Sequence, residues 1–88
     1  PEYFLLSQNY PNPFNPSTKI EYSIKEEGRV ILMVYNTQGQ LIRTLIDENQ
    51  AAGDYQTVFD ATGLPTGVYF YKLITPEFTD IKKMVFTK

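Results

Sequence analysis

Apolar and polar residues alternate with a period of two along most of this chain. Ile20, Tyr22 and Ile24 alternate with Lys19, Glu21 and Ser23, the pattern of a strand with one face on a core and one in water. Val30, Leu32 and Val34 alternate with Ile31, Met33 and Tyr35. That strand is apolar on both faces and is expected to be central. If its valines and leucine point inward, Ile31 and Met33 point onto an outer face, where solvated sheets carry polar residues. An apolar patch there would be a contact surface for a parent domain, a receptor or a second copy, unless a loop or the N-terminal segment covers it.

Residues 68–75 are aromatic and β-branched, as strands prefer. Tyr69, Tyr71 and Leu73 share one face of this run, and Val68, Phe70 and Lys72 the other. Residues 81–87 predict a last strand, 41–47 and 54–60 two more, and 3–7 an additional edge strand. No segment carries a helical i, i+3, i+4 stripe between caps, so no long helix is expected.

Turn chemistry falls between these runs. Glu26-Glu27-Gly28 and Thr37-Gln38-Gly39 each place a glycine where a hairpin needs a positive φ. Residues 50–53 and 62–67 are longer connections, and Thr75-Pro76-Glu77-Phe78 is a turn with proline pre-setting φ. Six or seven short strands at such spacing predict an all-β fold, a sandwich or barrel.

One segment departs from alternation. Asn9-Tyr10-Pro11-Asn12-Pro13-Phe14-Asn15-Pro16-Ser17-Thr18 holds three of the six prolines. Each proline fixes its own φ and keeps its predecessor out of the helical region, and asparagine side chains close local turns. The segment reads as a rigid loop, with Phe14 suited to plug the open end of a sandwich.

Composition narrows the chemistry. At 88 residues the chain is one small domain. It has no Cys and no His, which removes disulfides, zinc–thiolate sites, thiol nucleophiles and imidazole bases. Eight basic against ten acidic residues give no electrostatic footprint for nucleic acid. The longest apolar run, residues 30–35, is far short of the ~20 residues of a membrane-spanning helix. The start at Pro1, without a Met or a signal-like stretch, reads as a piece of something longer.

An enzyme built from these residues would rely on Glu26, Glu27, Asp47, Glu48, Asp54, Asp60 and Asp80. Paired carboxylates must face one cleft ~5–9.5 Å apart for glycoside hydrolysis, and most of these lie in turns or at strand ends, so catalysis is not expected. Asp47, Glu48, Asn49 and Asp60 offer oxygen ligands for Ca²⁺ but lack a tight loop spacing. Tyr55, Phe70, Tyr71 and Phe78 could form a flat carbohydrate platform, although a sandwich core absorbs such rings equally well.

Beyond this the residues become specific. Gln8-Asn9-Tyr10-Pro11-Asn12-Pro13-Phe14-Asn15-Pro16-Ser17-Thr18 followed by Ile20 resembles the opening of the type A C-terminal sorting domains of the type IX secretion system, the Por secretion tail family. The resemblance continues through Val34-Tyr35-Asn36 with Gly39, Ala52-Gly53, the run from Leu64-Pro65-Thr66-Gly67 to Val68-Tyr69-Phe70-Tyr71, and Lys82-Lys83-Met84-Val85-Phe86. It spans residues 8–88.

The resemblance implies a seven-stranded Ig-like antiparallel β-sandwich with no cofactor. It divides the chain into residues 1–8, the end of a linker with a possible first edge strand, and residues 9–88, the sorting domain. It implies a parent protein N-terminal to the domain, from a member of the Bacteroidota or relatives. Outer-membrane secretion machinery would read the domain in the periplasm, and a sortase-like protease would then remove it. The parent would be released or attached at the cell surface.

Recognition residues would then lie in the loop (Asn9, Tyr10, Pro11, Asn12, Pro13, Phe14, Asn15, Pro16) and among the terminal lysines (Lys82, Lys83, Lys88). Each set has a structural alternative: the loop as a stiff cap that lowers unfolded-state entropy, the lysines as guards of a sheet edge. Gly39, Gly67 and Tyr69 read as structural, the last as a tyrosine corner. The competing class is an Ig-like carbohydrate-binding or spacer module of an extracellular multidomain protein.

Overall fold

Period-two alternation builds most of the long strands. The computed structural model describes residues 5–88. Their strands are β1 (Leu5–Leu6), β2 (Ser17–Ile24), β3 (Gly28–Asn36), β4 (Leu41–Gln50), β5 (Gly53–Asp60), β6 (Gly67–Ile74) and β7 (Thr79–Phe86). All pair antiparallel, in a three-stranded sheet ordered β1-β2-β5 and a four-stranded sheet ordered β4-β3-β6-β7. This is the Ig-like sandwich. The expected edge strand over residues 3–7 is realised at Leu5–Leu6; residues 1–4 lie outside the described residues.

The core lies between the sheets and takes the inward phase of each strand. Ile20, Tyr22, Ile24, Val30, Leu32, Val34, Tyr69 and Leu73 are all buried, joined by Phe14, Phe59, Tyr71, Met84 and Phe86. β3 is central, as expected, between β4 and β6. β4 is less regular. Register shifts leave Leu45 and Ile42 unopposed, as Leu32 pairs Ile46, Met33 pairs Thr44, Val34 pairs Arg43 and Tyr35 pairs Leu41. Such bulges carry extra side chains toward the core, and Ile42, Leu45 and Ile46 all pack against it.

The two short glycine turns differ. Gly39, at φ 80°, closes the β3–β4 hairpin, where Asn36 Oδ1 accepts the N–H groups of Gln38 and Gln40 at 2.9 and 3.0 Å. Residues 25–27 instead carry the chain from one sheet to the other, and Gly28 lies outside the positive-φ region. The expectation of a second hairpin is therefore corrected. Gly28 is required by close approach: a Cβ there would meet Pro76 Cγ at 2.8 Å. Pro76 sits in the expected β6–β7 turn, where the Thr75 N–H donates to the Phe78 carbonyl at 2.7 Å.

Candidate functional site

The proline-rich segment joins the edges of both sheets. It first follows β2, with the Ser7 N–H donating to Glu21 O at 2.9 Å and Tyr10 and Lys19 exchanging two backbone bonds at 2.9 Å. It then crosses to the four-stranded sheet and runs parallel to the end of β7. There the Phe14 N–H donates to Val85 O at 2.9 Å and the Thr87 N–H to Phe14 O at 3.0 Å. Two side chains extend the contact: Asn12 Oδ1 accepts the Val85 N–H at 3.0 Å, and Gln8 Nε2 donates to Lys83 O at 2.7 Å. The peptide bonds preceding Pro11, Pro13 and Pro16 are cis.

The segment therefore supplies partners to the outer edge of β7 from Lys83 to Thr87, as exposed sheet edges require. Such occupation leaves a strand-adding receptor little of this edge to pair with, since β-augmentation uses these same main-chain groups.

Two buried residues hold the loop. Phe14 plugs the sandwich, stacked on Phe86 with centroids 5.3 Å apart and edge-on to Phe59 at 6.0 Å. Asn9 is the hub of a polar network. Its N–H donates to the Tyr71 hydroxyl at 2.8 Å, and its Nδ2 donates to Thr18 Oγ1 at 2.9 Å and Pro11 O at 3.2 Å. Its Oδ1 accepts from Gln8 Nε2 at 2.6 Å. The Tyr71 hydroxyl donates onward to Ser7 O at 2.7 Å, and Thr18 Oγ1 to Pro11 O at 2.8 Å. Burial, above all, pushes the Tyr71 phenol up to about 12, against a lowering by the Asn9 N–H and with a smaller upward push from Asp80. The hydroxyl thus stays protonated and able to donate.

The sequence motif is therefore divided. Asn9 and Phe14 are buried anchors, while Tyr10 (80% exposed), Pro11, Asn12, Pro13, Asn15 and Pro16 form the outward row. The lysines do not form one patch. Lys82 and Lys83 point to opposite faces of β7: Lys82 lies on the inner side at the rim, 3.8 Å from Asp80, and Lys83 lies exposed on the outer face. Lys88 lies past the strand, beside Thr66 and Gly67. Tyr69 makes the expected corner, its hydroxyl donating to Pro65 O at 2.6 Å, with Gly67 at φ 145°.

Gln8, Thr18 and Tyr71 lie within the quoted motif but outside its expected recognition residues, and they are parts of this site. The available signal was Thr18, a polar residue in phase with inward Ile20 and Tyr22; such a residue needs a buried partner.

The other candidate chemistries are not assembled. Asp47 pairs with Arg29 at 2.6 Å, Asn49 donates to Glu27 at 3.0 Å, and Asp60 closes its own turn on Thr62. The Thr62 hydroxyl and N–H hold the Asp60 carboxyl below its ordinary range. Among the described residues no group of three such side chains could hold a metal ion. Of the four rings offered for carbohydrate, Tyr71 is in the core, Tyr55 stacks on Tyr22 at 5.5 Å and Phe78 packs against the core. Only Phe70 faces outward from the four-stranded sheet.

A family model described as a secretion system C-terminal sorting domain matches residues 8–87. No curated protein and no solved structure matches the chain.

Proposed function

This chain belongs to the family of secretion system C-terminal sorting domains, and from that membership we propose how it serves as a type IX sorting signal. Outer-membrane secretion machinery reads the folded domain in the periplasm and exports the protein attached to its N-terminal side. A sortase-like protease then severs the domain, and the parent is released or anchored at the cell surface. Residues 1–8 hold the end of the connection to the parent and the first edge strand, and residues 9–88 hold the sorting unit. The domain acts by being recognised, and its family is not one of enzymes.

The family match over nearly the whole chain carries this reading. The outward row of the loop, Tyr10 to Pro13 with Asn15 and Pro16, and the lysines Lys82, Lys83 and Lys88 are the recognition residues of the proposal, with Asn9 and Phe14 setting the loop's shape. The test is a signal-peptide-bearing reporter fused ahead of residues 1–88 in a bacterium with a type IX system. The reporter is expected outside the cell, cut from the domain. A reporter held in the periplasm refutes the sorting role; export without cleavage refutes the protease step alone.

A further inference from the structure

The two outer faces of the sandwich differ in kind. That of the three-stranded sheet is mixed: among the described residues Lys19, Glu21, Gln56 and Asp60 are exposed on it, and its exposed apolar residues, Leu5, Tyr10 and Val58, lie on three different segments. On the four-stranded sheet the outward phase is apolar across strands. Ile31 pairs Ile74, Tyr35 pairs Phe70, and Val68 pairs Val85, with Met33 and Ile81 flanking Lys72 on either side. Ile31 and Met33 are half-buried among these neighbours and not enclosed. The described N-terminal segment does not lie across them, because it is bonded to the edges of β2 and β7. Ile81 is 55% exposed. A shallow depression of about 430 Å³ opens beside Tyr35, Phe70, Lys72 and Ile81.

Charge on this face is one-sided where it is most apolar. β6 and β7 contribute only Lys72 and Lys83 as outward charges. Neither is in an ion pair among the described residues. The single outward carboxylate of this sheet among the described residues, Asp47 on β4, is already held by Arg29 at 2.6 Å. A contiguous apolar face of this kind marks an interaction surface, and the charges set on it select the partner that complements them.

We propose that this face, centred on Tyr35, Phe70 and Ile81 and carrying Lys72 and Lys83, docks an apolar protein surface that presents carboxylates to the two lysines. The proposal rests on the sorting reading and deepens it: the surface belongs to the machinery that reads the domain. It assigns Lys83 to a contact on the sheet face and separates it from Lys82, which points to the other side. A second copy fits less well, since a twofold stack of the same face would set lysine against lysine.

The test uses the full chain fused to the exported reporter. Ile81→Ser, and Lys72→Glu with Lys83→Glu, probe the face. Gln56→Ser and Glu21→Lys, at exposed positions of the other sheet, are controls. All four should melt within about 3 °C of the parent domain, as exposed substitutions do. The two face variants should lower the secreted fraction about tenfold, as loss of a central contact does. The controls, and Lys72→Arg with Lys83→Arg, should export normally.

Equal export by all variants overturns the docking face while leaving the sorting role intact. Retention of the unmodified fusion in the periplasm overturns the sorting role and the face with it. Self-association of the purified domain in sedimentation velocity, lost with Ile81→Ser, replaces the proposed partner by a second copy. Retardation by dextran sulfate but not by dextran, lost on lysine reversal and kept with Ile81→Ser, replaces it by an anionic polymer.

Discussion

Replacing Tyr71 by Phe tests whether the proline-rich loop is held by one buried hydroxyl. The ring stays in the core and only the oxygen is lost. That oxygen accepts the Asn9 N–H at 2.8 Å and donates to Ser7 O at 2.7 Å. Each bond contributes about 1 kcal/mol net, and stranding the buried Asn9 N–H adds desolvation, so the loss comes to about 2–4 kcal/mol. For a domain of this size that lowers Tm by roughly 10–30 °C. Tyr69→Phe is the internal control, since it removes one bond, to Pro65 O, at a less buried site, and should cost about 1 kcal/mol.

Urea denaturation of both variants gives the comparison directly. Amide exchange should show where the loss acts, with Asn9, Val85 and Thr87 losing protection in Tyr71→Phe. A pH series gives a second handle. The folded phenol is raised from 10.0 to about 12, so its stabilisation is complete below pH 10 and lost as pH rises through about 12. Tyr71→Phe should flatten that alkaline fall, leaving the part due to Tyr22, whose phenol is also raised, chiefly by burial. A loss below about 1 kcal/mol, or equal effects of the two tyrosines, would refute the hub.

Phe14→Ala should cost about 3–5 kcal/mol, as emptied aromatic sites do, and calorimetry of the purified domain measures it; a loss near zero means the plug is not part of the core. Gly28→Ala should cost about 1–3 kcal/mol through the Pro76 ring, and adding Pro76→Ala should restore most of it in a double-mutant cycle; an additive double variant would remove Pro76 as the cause. Leu6 is buried, so a chain cut to residues 9–88 should melt below residues 1–88, and Leu6→Ala should lose about 2–3 kcal/mol. Equal melting of the two chains would place the folding boundary at residue 9.

Much of the fold was legible because its causes are local. Side chains on a strand alternate faces, so the inward phase of β2, β3 and β6 could be read directly. The same rule already separates Lys82 from Lys83. Gly39 was legible as a turn residue, and the outward phase of Ile31 and Met33 followed from that of Leu32. β4 was legible only in outline, because two bulges in its pairing with β3 break the alternation through Leu41, Ile42, Leu45 and Ile46.

By itself, the sequence determined the strands, most of their inward faces, a rigid loop at residues 9–18 and the family to which the chain belongs. Tertiary structure alone decided what that loop touches. The Asn9 N–H finds a hydroxyl 62 residues away, Asn12 an N–H 73 residues away, and Gly28 the ring of Pro76. It also decided that the apolar outward residues of β3, β6 and β7 lie side by side. The reason is physical. Periodicity and turn geometry depend on neighbours along the chain, whereas burial, edge protection and surface patches depend on which strands pair across it.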